Sequence, residues 1–421
     1  MNYKKTEIGK NITFTSVVDN KFNTCSLRIT MITPMSSLTA SDYSVAVNVL
    51  SDVNANLPTI AAMNERLSEL YGAGLSSSSA SRGDLHLLAL SASWLADRFA
   101  LDGENITAEM LKIVTDCLFN PLADENGFNE EIFRLSKKEI LDIIDSQLNN
   151  KREYAITKAL QIAFEGEPAA VISNGTRESA EAVTPLSAYN AYKKLMETAQ
   201  FDIIFISPVE MPEVAEIFKE KFADVPRKSS NYSFYAPSPL KSAPVVVKEE
   251  FDVLQAKIAF ILKFDTDDID AVHLMCIILG ATPVSKLFMN VREKLSLCYY
   301  CACRMSEFKS SVIIDCGVEK NNIEKATDEI MNQLNEIRNG NISDEELQNA
   351  LLAIENSYNT FGDSHGSYIS WLFDCMCRDE YISPAEQIER FFAVTKERII
   401  KAAENVKLDS TYHMLNKETE Q

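Results

Sequence analysis

Two side chains suited to holding a peptide, those of Arg292 and Tyr299, stand seven residues apart in the stretch NVREKLSLCYY at 290–300. The stretch follows a predicted helix and leads into a predicted strand, so both side chains can point into one cavity at the mouth of a sheet. Arginine offers a rigid fork of donors, and a tyrosine hydroxyl can donate to a carbonyl oxygen on which charge develops. The pair therefore predicts a peptide-positioning site. Spacing alone leaves open a surface cation beside an ordinary strand tyrosine.

The composition is typical of a globular chain with about two to three domains. Of the 421 residues, 46% are hydrophobic and 24% are charged. A net charge of −20 without a basic cluster argues against nucleic acid and anionic membranes as partners. The N-terminal residues lack the apolar run of a signal peptide, and no stretch reaches the ~20 apolar residues of a membrane span.

The cysteines indicate a reducing compartment. Nine is an odd number, and most of them lie within apolar strand or helix sequence. Secreted proteins rarely leave so many thiols unpaired, so we expect a cytoplasmic protein whose cysteines are small apolar core residues. Cys301 and Cys303 are expected on one strand face. A four-cysteine zinc site would require this pair to meet Cys375 and Cys377 in space.

The elements predicted in the first half recur in the same order in the second half. Strands, two helices, two more strands and long helices are predicted in 1–224, and the order begins again at residue 244. The stretch 225–243, rich in Ser and Pro, is the predicted linker. Residues 63–71 echo residues 289–299 at an offset of about 226 residues, which indicates internal duplication. The predicted fold is α+β, with two tandem domains, 1–224 and 244–421, each a mainly antiparallel sheet packed against helices.

Three of the predicted helices have distinctive starts. One begins after Thr39 as its N-cap residue, with a partial capping-box pattern. A second begins at Asn129 and continues into the 160s, where apolar residues recur at helical spacing. A third follows Ser343, which forms a capping box with Glu346.

Four stretches carry a resemblance to a known family. They are Leu279-Gly280, Ser285-Lys286-Leu287-Phe288, Val291-Arg292-Glu293-Lys294-Leu295 with Tyr299, and Cys316-Gly317-Val318. With the tandem halves, they make essentially the whole chain resemble the insulinase, pitrilysin and mitochondrial-processing-peptidase family of zinc peptidases. More narrowly, the chain resembles the inactive, cytoplasmic bacterial type. The resemblance implies a clam-like half-chamber.

The resemblance also implies a zinc site that this sequence does not retain. Active members carry an HxxEH motif on the first helix of the first half, where two histidines bind the metal, the glutamate is the base, and a third ligand comes from a later glutamate. The corresponding residues here are Ser44-Val45-Ala46-Val47-Asn48, so Ser44, Val47 and Asn48 replace every functional position, and the distal ligand falls near Asp142. We therefore expect no metal, no cofactor and no activity of the isolated chain.

In the second half, the resemblance places Arg292 and Tyr299 on the family's substrate-positioning pair at the family's separation. The equivalent stretch of the first half retains Arg66 and Tyr71 at altered spacing, as residues of the fold. The resemblance implies a non-catalytic subunit that holds a peptide substrate for a zinc-bearing paralogous subunit. A homodimer of the isolated chain is left open by the sequence.

Two alternatives remain open. One is a peptide-binding or scaffold protein without any role in hydrolysis. The other is a free-standing metalloenzyme that uses an unconventional site.

Overall fold

The secondary structure follows the α+β pattern that the sequence predicts. The computed structural model describes residues 3–228 and 230–417. The strands are β1 (Tyr3–Gly9), β2 (Ile12–Val18), β3 (Thr24–Pro34), β4 (Gly74–Arg82), β5 (Leu85–Leu95), β6 (Ala123–Asp124), β7 (Gly127–Phe128), β8 (Gln200–Ser207), β9 (Val245–Phe251), β10 (Ala256–Phe264), β11 (Cys298–Ser306), β12 (Ser311–Val318) and β13 (Val406–Asn416). The helices are α1 (Ala40–Asp52), α2 (Ile60–Glu69), α3 (Ile106–Phe119), α4 (Glu130–Ser146), α5 (Lys151–Ala163), α6 (Arg177–Ala182), α7 (Pro185–Thr198), α8 (Glu213–Ala223), α9 (Ile269–Cys276), α10 (Ile323–Arg338), α11 (Asp344–Asn359), α12 (His365–Arg378), α13 (Pro384–Phe392) and α14 (Lys396–Asn405). Two π-helical segments, Ile277–Ala281 and Leu287–Lys294, follow α9.

The chain divides into two units that are not contiguous in sequence. The first unit comprises the residues up to Ser146, Val171–Ser233 and His365–Cys377, and the second comprises all the others. The predicted domains, 1–224 and 244–421, lack this exchange of segments. The change of unit after Ser233 falls within the predicted linker 225–243.

The first unit is built on a six-stranded sheet with the order β1-β2-β8-β3-β5-β4. The apolar side chains of the inner strand β3, among them Leu27, Ile29 and Met31, are almost fully buried. The Ser-rich strand β4 pairs with β5 alone and therefore forms one edge of the sheet. Helix α1 packs on β4 and β5 with most of its residues buried, which places the residues of the degenerate metal motif beside this edge.

The second unit is built on a five-stranded sheet with the order β11-β12-β10-β13-β9. Its central strands are antiparallel, and β9 joins β13 in parallel. The edge strand β11 pairs with β12, so that Cys301 lies opposite Cys316, and the pairing is interrupted by a bulge between Cys298 and Tyr300. The bulge bears directly on Tyr299, which lies within it.

The helix predicted from Asn129 into the 160s is two helices that belong to different units. Asn150 ends the continuous pattern, because its side chain accepts a hydrogen bond from the backbone N–H of Glu153 and so caps the start of α5. The apolar repeat predicts one continuous helix, because such a repeat does not show that a capping residue within it starts a new helix.

Charged side chains fix both ends of α5 within the second unit. At its start, Arg152 pairs with the buried Asp315 of β12. At its end, Lys263 Nζ donates to the carbonyl of Ala163 over 3.0 Å, and Lys241 Nζ donates to the same carbonyl over 2.9 Å. Cations at a helix C-terminus satisfy its last carbonyls and interact favourably with its dipole.

The other two helix starts differ in their outcome. Thr39 does precede α1, but its side chain makes no capping hydrogen bond, so the partial capping box predicted there is wrong. The capping box of Ser343 and Glu346 is confirmed, with both reciprocal hydrogen bonds formed.

Candidate functional site

Arg292 and Tyr299 line one open pocket of about 380 Å³ in the second unit. The other lining residues are Glu293, Ser296, Leu297, Cys298, Glu319 and Asn322. Its volume lies in the range of small-molecule and peptide side-chain sites. The two residues whose spacing predicted a shared cavity therefore share one.

The connection between the π-helical segment and β11 sets the positions of the pair. Ser296 adopts a positive φ of 51°, and the N–H of Leu297 donates to the carbonyl of Val291 over 3.0 Å, so the chain reverses directly after the helical turns. The bulge at the start of β11 then leaves Tyr299 as an extra, unpaired residue. As a result, 66% of Tyr299 is exposed, although its neighbour Cys298 is buried.

The side chain of Arg292 is held at the pocket without being buried in an ion pair. Its guanidinium lies over the ring of Phe288, 4.4 Å from the ring centroid, which is a favourable cation–π distance. Its Nε is 3.6 Å from Oε1 of the adjacent Glu293, and 41% of the side chain is exposed.

The equivalent pair of the first half has a different environment. Arg66 pairs with Glu69 over 2.7 Å and with Glu109 over 2.9 Å. The hydroxyl of Tyr71 donates to Glu104 over 3.0 Å. These contacts hold the fold together at the end of α2, as the sequence predicts for this pair.

The backbone of Gly280 allows the π-helical turns to approach β11 closely. A Cβ atom at this position would lie 2.8 Å from Cβ of Cys303 and 2.9 Å from its backbone nitrogen. Because real Cβ atoms do not approach backbone so closely, any larger residue would displace the strand that carries Tyr299. The Leu279-Gly280 pair therefore has a packing role close to the pocket.

The residues of the degenerate metal motif form hydrogen bonds with their neighbours. The Ser44 hydroxyl donates to Ser79 Oγ over 2.9 Å and lies 3.0 Å from the carbonyl of Ser173. The Asn48 amide donates to Glu139 Oε2 over 3.0 Å, and its oxygen accepts from Ser77 Oγ over 2.8 Å. Hydroxyl and amide groups are poor substitutes for the imidazole ligands that zinc prefers, so these residues do not fit the metal of active family members.

The carboxylate that faces the motif belongs to Glu139, three residues before the predicted Asp142. On α4, Ser136 and Ile140 are buried against the unit, and Glu139 reaches Asn48 from the same side. Asp142 is exposed. The distal-ligand position near Asp142 stays a prediction, and the carboxylate that contacts Asn48 is that of Glu139, about one helical turn earlier.

Burial shifts the pKa values of two titratable groups around this motif. His86, which is fully buried and contacts Ser79 Oγ through Nε2 at 2.8 Å, has its pKa lowered by desolvation to about 4. Desolvation raises the pKa of Asp52 on α1, although its carboxylate accepts a hydrogen bond of 2.6 Å from Ser136 Oγ. Both shifts favour the neutral form of the group.

The described residues contain neither a cluster suited to a metal ion nor a helix suited to a membrane. Within 3–228 and 230–417, no group of three or more His, Cys, Asp or Glu side chains could hold a metal ion. In the same part of the chain, no helix has the length and apolar character required to cross a bilayer.

Comparisons with known proteins show which family this chain resembles. A family model described as "Peptidase M16 inactive domain" matches residues 182–354, a segment that includes the whole pocket. A curated relative from Bacillus subtilis, named "Probable inactive metalloprotease YmfF", is 24% identical over 94% of this chain and 94% of its own. The chain is therefore similar to inactive members of the M16 peptidase family. This result confirms the resemblance predicted from the sequence.

Solved structures agree with the M16 fold. A conserved protein from Enterococcus faecalis V583 is similar over 100% of both chains, with a TM-score of 0.92 and 23% identity. An M16 inactive domain from Pseudomonas fluorescens gives a TM-score of 0.81 at 17% identity over 100% of both chains. A protease from Helicobacter pylori gives 0.79 at 13% identity over 98% of this chain and 99% of its own. The two-domain α+β architecture of this chain is therefore shared with these proteins.

Proposed function

We propose that this chain is the non-catalytic, zinc-less subunit of a two-chain metallopeptidase, in which Arg292 and Tyr299 position the peptide substrate. The observation that carries the proposal is the shared pocket, in which both side chains reach solvent. The corresponding pair in the first half, Arg66 and Tyr71, contacts carboxylates instead. The pair in the second half lines the pocket, which is the position required for contact with a ligand.

Each residue of the pair has a distinct role in this proposal. Arg292, whose guanidinium lies over the ring of Phe288, donates its guanidinium N–H groups to backbone carbonyls of the peptide. Tyr299 donates its hydroxyl to the carbonyl oxygen on which negative charge develops, and this interaction is stronger in the transition state than in the ground state. Holding the peptide in a reactive geometry adds the entropic advantage of orientation.

The partner is a zinc-bearing paralogous subunit, which supplies the metal and the base that Ser44, Val47 and Asn48 cannot supply. We place the complex in the cytoplasm, because all nine cysteines are free thiols. A homodimer is the assembly proposed for the chain without its partner.

The test is peptide hydrolysis by the reconstituted pair. The zinc-bearing paralogue is mixed with wild-type chain, with Arg292→Ala, and with Lys294→Ala as a matched control, since Lys294 is an exposed cation on the same segment and does not line the pocket. We expect Arg292→Ala to lower kcat/KM by about 10²-fold, with Lys294→Ala unchanged. Equal activity of the two variants in an intact complex would reject the role of Arg292.

A second function, peptide binding without hydrolysis, is favoured by the free edge of the first sheet. Strand β4 pairs with β5 on one side only, and its side chains are mostly serines with little bulk. An extended peptide can add to such an edge through main-chain hydrogen bonds. This function predicts that a peptide binds the isolated chain and that a proline in β4, for example Ser78→Pro, abolishes this binding. It also predicts that no partner subunit confers hydrolysis.

A further inference from the structure

Five cysteines converge in the core of the second unit, and they are not equivalent. They are Cys276, Cys298, Cys301, Cys303 and Cys316, all free thiols. Cys298 alone among these five lines the pocket that contains Arg292 and Tyr299. The sequence predicts that the cysteines are small apolar core residues. Cys298 is buried as predicted, but it also lines an open cavity.

The bulge in β11 places the side chains of Cys298 and Cys301 on the same side of the sheet. In a regular strand, residues three positions apart face opposite sides of the sheet. The extra residue Tyr299 changes this alternation, so that Cys298 and Cys301 both face the core. The side chains of Cys298, Cys301 and Cys316 all belong to the buried core of the second unit, and Cys301 lies opposite Cys316 on the neighbouring strand.

The surroundings favour the thiolate on one cysteine and the thiol on the other. The neighbouring Cys301 thiol, and then the positive charge of Arg292, keep the pKa of Cys298 below its ordinary value despite burial. The neighbouring thiols of Cys298 and Cys316, together with burial, raise the pKa of Cys301. A thiolate stabilised by a neighbouring cation and beside a second thiol is the usual arrangement of a reactive cysteine and its resolving partner.

We propose that Cys298 is a site of oxidation by hydroperoxides and that Cys301 resolves the oxidised residue as an intrastrand disulfide. In the first step, the Cys298 sulfur attacks the terminal oxygen of a hydroperoxide; the O–O bond breaks, an S–O bond forms, and the alcohol leaves with the proton. Cys298 is then a sulfenic acid. In the second step, the Cys301 sulfur attacks the Cys298 sulfur, the S–O bond breaks, and water leaves with the thiol proton. The two sulfurs lose two electrons, which the peroxide gains.

Cys303 provides a matched control for this proposal. It lies on the same strand, is buried to a similar degree, and does not line the pocket. Burial and a hydrogen bond to Cys276 raise its pKa. Cys298 and Cys303 therefore differ in access and charge environment while they share the strand, the unit and the core.

The proposal is tested by oxidising the full-length chain, digesting it with trypsin and analysing the peptides by mass spectrometry. Cleavage after Lys294 and Arg304 releases one peptide, 295–304, that contains all three thiols of β11. The reduced protein is treated with equimolar hydrogen peroxide, free thiols are blocked with N-ethylmaleimide before digestion, and the peptide is sequenced. We expect this peptide to carry one maleimide, on Cys303. Apart from that label, its mass should be two hydrogen atoms below that of the fully reduced peptide. Cys301→Ser should instead leave a sulfenic acid on Cys298 that dimedone traps, and Cys303→Ser should form the disulfide normally.

The measurement needs no partner or substrate, so its outcome is independent of the proposed peptidase function. Circular dichroism of each variant establishes that it is folded, and the rate of maleimide labelling of the wild-type chain serves as a second measurement that requires no variant. Cys298 should be labelled at least tenfold faster than Cys303. Equal labelling rates, oxidation of the partly exposed Cys377 before Cys298, or a Cys301–Cys316 disulfide with Cys298 still reduced would each overturn the proposal.

Discussion

The Asn48 amide donates a hydrogen bond of 3.0 Å to Glu139 Oε2 and so joins α1 to α4. Active relatives of the resembled family place a metal ligand at the position of Asn48. In this chain, the carboxylate contacts an amide, which can satisfy it without an ion. This contact places position 48 beside the Glu139 carboxylate, with residue types that do not suit zinc.

This geometry predicts that zinc binding can be restored by two substitutions. In the double variant Ser44→His/Asn48→His, the imidazoles stand at positions i and i+4 on one helix face, with Glu139 as the third ligand. Val47 is left unchanged because it is buried in the core. We expect about one zinc per chain by atomic emission after dialysis against a weak chelator.

Two further variants of the double-histidine chain distinguish the third ligand. Glu139→Gln should reduce zinc retention severely, and Asp142→Asn, which changes an exposed residue of the same helix, should leave it intact. The reverse pattern would support the predicted placement of the distal ligand near Asp142.

Removal of the Tyr299 hydroxyl tests the oxyanion role separately from the fold. Tyr299→Phe should lower kcat of the reconstituted peptidase by about 10²-fold, the usual effect of losing one oxyanion donor. Because 66% of the residue is exposed, its free energy of unfolding should change by less than about 0.5 kcal/mol. Tyr71→Phe is the control from the first half and should leave kcat unchanged; a similar decrease in both variants would indicate a general structural effect.

The buried His86 predicts a loss of stability in mild acid. Its pKa is about 4 in the folded chain and about 6.5 when unfolded, because desolvation disfavours the imidazolium. Between these values the unfolded chain binds more protons, so the stability present above pH ~6.5 decreases as the pH falls, by about 3 kcal/mol in total.

Urea unfolding at pH 7.0 and at pH 4.5 measures this effect. His86→Leu should show a smaller decrease between the two pH values than the wild type, whatever its stability at pH 7.0. The pKa of His413 is also lowered by burial to about 4. Part of the decrease in the free energy of unfolding should therefore remain in His86→Leu. An unchanged decrease in His86→Leu would mean that His86 does not titrate as its burial requires.

Lys263 should be a major contributor to the stability of the second unit. Its Nζ lies 3.1 Å from Asp409 Oδ1 and donates to the carbonyls of Ala163 and Pro239. Both charged groups are buried. Lys263→Met leaves the Asp409 carboxylate with the backbone N–H of Lys241 and its Nζ at 3.6 Å, and should cost about 1–3 kcal/mol. Denaturant unfolding checks the value, with the exposed Lys407→Met as a neutral control. A cost below about 1 kcal/mol would show that other groups satisfy Asp409.

Local sequence patterns predicted elements better than boundaries or partners. The capping box of Ser343 and Glu346 is formed as predicted. The break at Asn150 was missed because the apolar repeat continues across it. The assignment of α5 to the second unit depends on Arg152, Lys241 and Lys263 meeting groups far away in sequence, and no local pattern contains such information.

The same division applies to the candidate site. The spacing of Arg292 and Tyr299 and the loss of the zinc ligands at Ser44 and Asn48 can be read directly from the residues. That the pair shares a pocket depends on the reversal at Ser296 and the bulge at Tyr299, which are set by the pairing of β11 with β12.

The sequence by itself determined the residue types: an Arg–Tyr pair without a metal motif, in a chain with a duplicated α+β order. Tertiary structure alone decided which carboxylate faces Asn48, which unit contains α5, and which cysteine reaches the pocket. The physical reason is that residue chemistry and periodicity are local properties. Packing across strands and helices selects contacts between residues that are distant in sequence, and a one-residue bulge is enough to change which side chains meet.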